Sequence, residues 1–167
     1  MLQSTLNPNP DCPVCLSRHV LKIRELKDEH SNSLVDLFLC LACRSASSPL
    51  ADPVGTHTAL EWHLAVANRN RQYALQLFKD IGIDSPIVLD IGCGSGSLIE
   101  AAQALGGGGI GFDLDSEACA YGREKGLDLR SELWTPNTRL GKEISLVTCI
   151  MVLEHLHQPR GLMADLI

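Results

Sequence analysis

The spacing of apolar residues divides the chain into two parts. Between Thr58 and Lys79 they recur at helical spacing with no proline or glycine among them, which predicts an amphipathic helix or a pair of helices. After Asp84, short apolar runs alternate with glycine-rich turns and further helical stretches. Apolar runs that end in a glycine cluster are typical of buried parallel strands.

The second part therefore predicts an α/β fold built on a parallel sheet. Strands that alternate with helices through short connections pair in parallel, because each helix carries the chain back across the sheet. About four strands are expected, which makes the sheet incomplete, and Ser116 is the expected cap of a helix. The predicted strands are 86–90, 109–113, 127–130 and 144–152, and the predicted helices between and after them are 97–105, 116–125 and 158–167.

The residues before Thr58 follow a different pattern. Two cysteine pairs, in CPVC and CLAC, enclose mostly polar residues that end in a short predicted strand at 34–39. The segment 45–56 is rich in serine, proline and glycine, as linkers are. These features predict three segments: a small domain over 8–48, a linker over 49–57 and a second domain over 58–167.

Composition excludes several classes of protein. The chain has 167 residues, of which 45% are hydrophobic and 20% charged, unlike disordered or coiled-coil sequences. The longest apolar run, 146–153, is too short to span a membrane. The net charge of −6, with no basic excess in either part, argues against nucleic-acid binding. With no signal peptide and seven cysteines, we expect a reducing, cytoplasmic location.

The spacing of the cysteine pairs predicts a metal site. Two Cys-x2-Cys turns, 24 residues apart, have the spacing of a zinc ribbon, in which each turn gives two thiolates to a tetrahedral ion. Leu16 and Arg44 depart from the pattern, since ribbons often have glycine there. Thiols without metal are the alternative, whereas a redox pair is disfavoured because neither pair opens a helix after a strand. The predicted ligands of this structural site are Cys12, Cys15, Cys40 and Cys43.

The segment VLDIGCGSGSL, residues 88–98, has the form of a ligand-binding turn between a strand and a helix. Its glycines permit positive φ angles and close approach of a ligand to the backbone. After the next strand comes Asp113, where an acid can accept both hydroxyls of a ribose. The glycines run G-x-G-x-G rather than G-x-G-x-x-G, and the acid Asp90 would repel a pyrophosphate but suits a sulfonium or amine. The alternative is a tight turn without a ligand.

These motifs resemble those of the class I S-adenosylmethionine-dependent methyltransferases, whose first motif is an acid followed by G-x-G-x-G. The resemblance covers roughly residues 60–167 and extends to VLEH at 152–155, which looks like the O-methyltransferases of ubiquinone biosynthesis. It implies a Rossmann-like fold that binds S-adenosylmethionine (SAM) and transfers its methyl group. The cofactor-binding residues it implies are Asp90, Gly92, Cys93, Gly94, Asp113, Leu114 and Ile150, with Arg71 as a further candidate for the cofactor carboxylate.

Within this resemblance, Asp90, Gly92 and Gly94 line the methionine end of SAM, Asp113 binds its ribose and Leu114 lies beside its adenine. Ile150 lies near the start of the loop after the fourth strand. For Arg71, a solvated helix arginine is the alternative reading.

The sequence departs from the ubiquinone-type enzymes after the fourth strand. Those enzymes carry Glu-x-x-Glu-His, but Met151 replaces the first acid and leaves Glu154 and His155. Two ligands make a poor magnesium site, so we predict no catalytic metal. His155 is the candidate general base, and the alternative is that Glu154 and His155 only orient the loop.

The resemblance leaves the methyl acceptor open. Ribbons precede this fold in some RNA methyltransferases and in enzymes that act on sugars or other small molecules, and the acidic charge favours a small-molecule or sugar substrate. A non-catalytic interaction module with a degenerate Rossmann-like domain is a further alternative. Because the family's sheet continues beyond a fourth strand, we expect a truncated chain, inactive alone, that self-associates through the bare edge of 144–152.

Overall fold

The computed structural model describes residues 10–27, 34–48, 60–156 and 159–166. The chain divides into two compact units, and each is described by itself. The first unit comprises residues up to Val54 together with His155–Asp165, and the second comprises Gly55–Glu154. The predicted linker, 49–57, lies outside the described residues.

The first unit contains a three-stranded antiparallel sheet in the order β1, β2, β3. Strand β2 confirms the strand predicted at 34–39, whereas β1 and β3 were not predicted. A register shift between Lys22 and Arg24 interrupts the alternation of β1, so its sequence lacks a clean strand period. The strands are β1 (Val20–Lys27), β2 (Leu34–Cys40) and β3 (Ala46–Ser47).

The second unit is a Rossmann-like parallel sheet, as the sequence predicts. The strand order is β6-β5-β4-β7, so β4 lies at the centre and pairs in parallel with both β5 and β7. Each strand falls inside its predicted segment or extends beyond it by one residue. The strands are β4 (Ile87–Ile91), β5 (Gly108–Phe112), β6 (Leu129–Arg130) and β7 (Leu146–Cys149).

Strand β7 is shorter than the predicted strand 144–152. Met151 has a φ of 56°, in the left-handed region that a strand cannot contain, so the chain turns away from the sheet at that point. Among the described residues β7 pairs only with β4, which confirms that this strand lies at the sheet edge. Val147 on this strand is exposed.

Helix α1 packs on the sheet through one apolar face. Ala74 and Phe78 are fully buried and contact Val88 of β4 and residues of α2. In the parts of the chain that the structure describes, no helix is both long and apolar enough to cross a bilayer. The helices are α1 (Leu60–Ile81), α2 (Ser97–Ala104), α3 (Ser116–Glu124) and α4 (Pro159–Asp165), and a 3-10 turn covers Leu153–His155.

The cap of α3 is Asp115, so the expectation that Ser116 caps this helix is wrong. The Asp115 carboxylate accepts hydrogen bonds from the amides of Glu117 at 3.1 Å and Ala118 at 2.9 Å. Both Asp and Ser make good caps, and the extended backbone of Asp115 places its side chain over the free amides of the first turn.

This assignment predicts unequal effects for two neighbouring substitutions. Asp115→Ala should lower the free energy of unfolding by about 1 kcal/mol, because two amides of α3 lose their acceptor. Ser116→Ala should leave it unchanged within a few tenths, since alanine suits a first helical position. Urea unfolding of both variants measures the difference, and an equal loss in both would contradict the assignment.

Candidate functional site

The loop between β4 and α2 is shaped by its glycines. Gly92 and Gly94 have φ angles of 75° and 52°, which favour glycine. A Cβ added to Gly92 would overlap Val152, and one added to Gly94 would overlap the imidazole of His63. Both positions therefore require glycine for their backbone conformation and for the side chains packed on them.

Backbone hydrogen bonds hold this loop against the end of β5. The amides of Gly92 and Cys93 both donate to the carbonyl of Phe112, at 2.8 and 3.1 Å. The amide of Gly94 donates to Asp113 Oδ2 at 2.7 Å, and the amide of Asp115 donates to Asp113 Oδ1 at 2.8 Å. The structure thus brings together the glycine loop and Asp113, and two amides orient that carboxylate.

Asp90 is a buried carboxyl group near the end of β4, only 3% exposed. The hydroxyl of Thr148 donates to its Oδ1 at 2.7 Å. Burial raises the pKa of Asp90 to about 7; the hydrogen bond from Thr148 opposes this rise and the negative charge of Asp113 adds to it. Asp90 therefore exchanges its proton near neutrality, and a nearby cation would favour its charged form.

His63 of α1 contacts the same loop, and sequence reasoning missed it. Its Nε2 lies 3.3 Å from Asp115 Oδ2, its side chain is 12% exposed, and its ring lies against Gly94. The available signal was its position, because residue 63 falls on the helix face that carries Ala74 and Phe78. A polar side chain aligned with these two buried residues points to a specific contact.

The side chain of Cys93 points into the core rather than toward a ligand. It is buried in a cluster with Cys119, Ile99, Leu127 and Leu129. A hydrogen bond with the thiol of Cys119, together with burial, raises the pKa of Cys93, and the same bond lowers the pKa of Cys119. Cys93 therefore presents its backbone, not its thiol, to the surface of the loop.

The other residues implied by the resemblance lie in different surroundings. Leu114 and Ile150 follow β5 and β7 and are exposed. The guanidinium of Arg71 lies 3.7 Å from the carboxylate of Glu100 and also contacts Asn68, so Arg71 contacts α2 while His63 contacts the loop. His155 ends the 3-10 turn with its side chain exposed.

The four cysteines of the first unit form a compact cluster. Their Sγ atoms all lie within 4.8 Å of one another, with Cys12 to Cys43 at 3.7 Å and Cys15 to Cys40 at 3.6 Å. Zinc–sulfur bonds of about 2.3 Å in a tetrahedron separate neighbouring sulfurs by about 3.8 Å. The donor set and its dimensions therefore fit a zinc ion.

Two equivalent turns build this cluster. Leu16 N donates to Cys12 O and Arg44 N donates to Cys40 O, both at 2.9 Å. Leu16 and Arg44 have φ angles of 59° and 65°, which glycine adopts most easily. Non-glycine residues at both positions thus adopt the left-handed backbone conformation of these turns.

The cysteine thiols strongly influence one another's ionisation. Burial acts to raise the pKa of Cys12, but hydrogen bonds, led by that from Ser45, lower it to about 6. The pKa of Cys15 rises to about 12: a backbone hydrogen bond at Ser17 opposes the rise, whereas burial and the neighbouring thiols outweigh it. The ionisation of each thiol therefore depends on the others in the cluster.

Comparison with known proteins finds relatives of the second part of the chain. A family model described as a methyltransferase domain matches residues 61–167. The ubiquinone biosynthesis O-methyltransferase of Hydrogenovibrio crunogenus is 30% identical over 90 residues, 48% of this chain. That of Thiobacillus denitrificans is 34% identical over 84 residues, 46% of this chain. The alignments span 36% of each relative, about a third of its length.

A known structure is also similar to the chain. It is magnesium protoporphyrin IX methyltransferase from Synechocystis PCC 6803 with bound SAM, with a TM-score of 0.48 and 20% identity. The similarity covers 68% of this chain and 59% of that one. The family model alone covers well over half of the chain. The chain therefore belongs to the methyltransferase domain family.

Proposed function

We propose that the second unit binds SAM as the cofactor part of a methyltransferase. The observation that carries this proposal is the Asp113 carboxylate, which two backbone amides orient beside Gly94 at the end of β5. A fixed carboxylate there can accept both ribose hydroxyls. Asp90, near the end of the adjacent strand, supplies an acid whose charged form a sulfonium favours. Membership of the methyltransferase family supports this reading.

The chemistry required of the chain is mainly positioning. Bound SAM supplies a methyl group already activated by its sulfonium sulfur. The glycine loop and Asp113 would hold the nucleoside. The Asp90 carboxylate, near the end of β4, would favour the positive charge of the sulfonium. We retain His155, whose side chain is exposed, as the proposed general base for an acceptor hydroxyl.

We propose a small-molecule methyl acceptor. Relatives of this chain are named for ubiquinone biosynthesis, whose methyl acceptor is a small molecule. An RNA acceptor would favour a basic surface, whereas the chain has 20 acidic against 14 basic residues. Sugar acceptors belong to the same chemical class of hydroxyl-bearing small molecules.

Binding of S-adenosylhomocysteine, the demethylated product, tests the cofactor proposal. Asp113→Ala should weaken it by about 10- to 150-fold, as loss of hydrogen bonds to a charged group does. Asp128→Ala is the matched control, an exposed acid paired with Lys142, and should bind as the parent does. Titration calorimetry measures all three proteins. Binding of NAD without S-adenosylhomocysteine would contradict the proposal, and binding of neither would favour a non-catalytic interaction module.

We also propose that residues 8–48 form a zinc ribbon. The four cysteine sulfurs have the spacing of a tetrahedral zinc site, and two equivalent turns present them. Four thiolates leave no open position for a substrate or a water molecule, so such a zinc ion would be structural.

A further inference from the structure

We propose that His63 is a positioning residue for the nucleoside end of the cofactor site. This inference rests on the proposed function, because it assigns a residue to the same site. His63 lies on α1, outside the glycine motif and outside both acid motifs. Its side chain nevertheless contacts both residues whose amides orient Asp113.

Gly94, Asp113, Asp115 and His63 form a ring in which each residue contacts the next. Asp113 accepts one hydrogen bond from Gly94 and one from Asp115. The His63 ring packs on Gly94, and its Nε2 lies 3.3 Å from Asp115 Oδ2. His63 therefore spans the two anchors of the Asp113 carboxylate from the side of α1.

This span fixes the distance between the glycine loop and the start of α3. Asp115 uses its other oxygen to cap α3, so its position is set from two directions. Cys93 of the loop also bonds to the thiol of Cys119 further along α3, whereas His63 and Asp113 each contact both the loop and the cap residue itself. We infer that His63 holds the gap in which Asp113 receives the ribose, and that it acts on any ligand containing the nucleoside.

The role differs from recognition of the methionine carboxylate, and two ligands separate the two roles. S-adenosylhomocysteine contains the nucleoside and the amino acid, whereas 5′-methylthioadenosine contains the nucleoside alone. A residue that positions the ribose site affects both ligands equally. A residue that binds the carboxylate affects only S-adenosylhomocysteine.

The test compares three variants of the full chain by titration calorimetry with both ligands. His63→Leu keeps the volume but lacks a donor, and should weaken both ligands by about tenfold. His63→Gln keeps an N–H donor for Asp115 and should recover most of the affinity, whereas a purely structural loss would not be rescued in this way. Gln76→Ala is the control on the same helix, since Gln76 is exposed and hydrogen-bonds within α1 to Asp80.

Circular dichroism confirms that each variant is folded before it is titrated. Unchanged binding in His63→Leu overturns the inference, and so does a loss confined to S-adenosylhomocysteine, which would place His63 at the amino-acid end. Equal losses in His63→Leu and His63→Gln also overturn it. If the parent chain binds neither ligand, the proposed function fails, and that outcome is distinct from failure of the role of His63.

Discussion

Removal of zinc should unfold the three-stranded sheet of the first unit and leave the second unit folded. The buried core of the first unit consists of Val20 and Phe38 with Cys12 and Cys40, two of the proposed ligands. Most of β1 is exposed, so hydrophobic burial contributes little stability there. Structural zinc supplies roughly 10–16 kcal/mol in small zinc-binding domains, more than this core can provide.

Metal analysis and circular dichroism measure this effect. The purified chain should carry a single zinc ion, and a Cys12→Ser, Cys15→Ser double variant should carry none. Cys149→Ser is the control, because Cys149 lies on β7 and not in the cluster. In the double variant the antiparallel strands should lose their signal while S-adenosylhomocysteine binding persists, since metal binding and folding are coupled only where the ligands are. Zinc retained in the double variant would contradict the ligand set.

The parts of the site that sequence predicts are those set by local backbone. A strand followed by alternating glycines predicts a turn at Gly92, and parallel pairing then brings the end of the next strand, with Asp113, to the same edge. The two cysteine turns are equally local, since each spans only a few residues. The pairing of β1 with β2 brings the two turns together in one cluster. The cysteine spacing predicts that the turns meet, although the sequence predicts only β2 of these two strands.

The contacts that sequence reasoning missed join residues distant in the chain. Thr148 reaches Asp90 because β7 pairs with β4, 58 residues apart in sequence. His63 reaches Asp115 because α1 packs beside α3. Neither residue belongs to a short motif, so its contact partner becomes evident only from tertiary packing. The cap of α3 was mistaken for a related reason, since Asp115 and Ser116 have similar cap propensities and the backbone conformation decides between them.

Asp90→Asn should stabilise the ligand-free chain at alkaline pH. An unfolded Asp has a pKa of about 3.9, whereas burial raises that of Asp90 to about 7. Between these values the folded chain keeps a proton that the unfolded chain has lost, so stability falls as pH rises from about 4 to 7. The difference corresponds to a cost on the order of 4 kcal/mol above pH 7. The neutral amide removes this cost and still accepts the hydrogen bond from Thr148.

Urea unfolding across this pH range measures the effect. The parent and Asp90→Asn should have similar stability near pH 4 and diverge progressively toward pH 8, with the variant more stable. Asp84→Asn is the matched control for removal of an acid, because Asp84 is exposed and lies just before β4. A constant difference between parent and Asp90→Asn at every pH would contradict a titrating buried acid.

The same substitution, which stabilises the ligand-free chain, should weaken the preference of the chain for SAM. SAM carries a sulfonium charge that S-adenosylhomocysteine lacks, and an ionised Asp90 near that charge favours the cation. In the parent, the preference for SAM over S-adenosylhomocysteine should therefore grow about tenfold as pH rises through 7, because Asp90 ionises in that range. Asp90→Asn should lose both the preference and its pH dependence, while binding of S-adenosylhomocysteine itself stays within about threefold. A variant that kept the parent's preference would show that the stability lost by burying Asp90 serves some purpose other than recognition of the sulfonium.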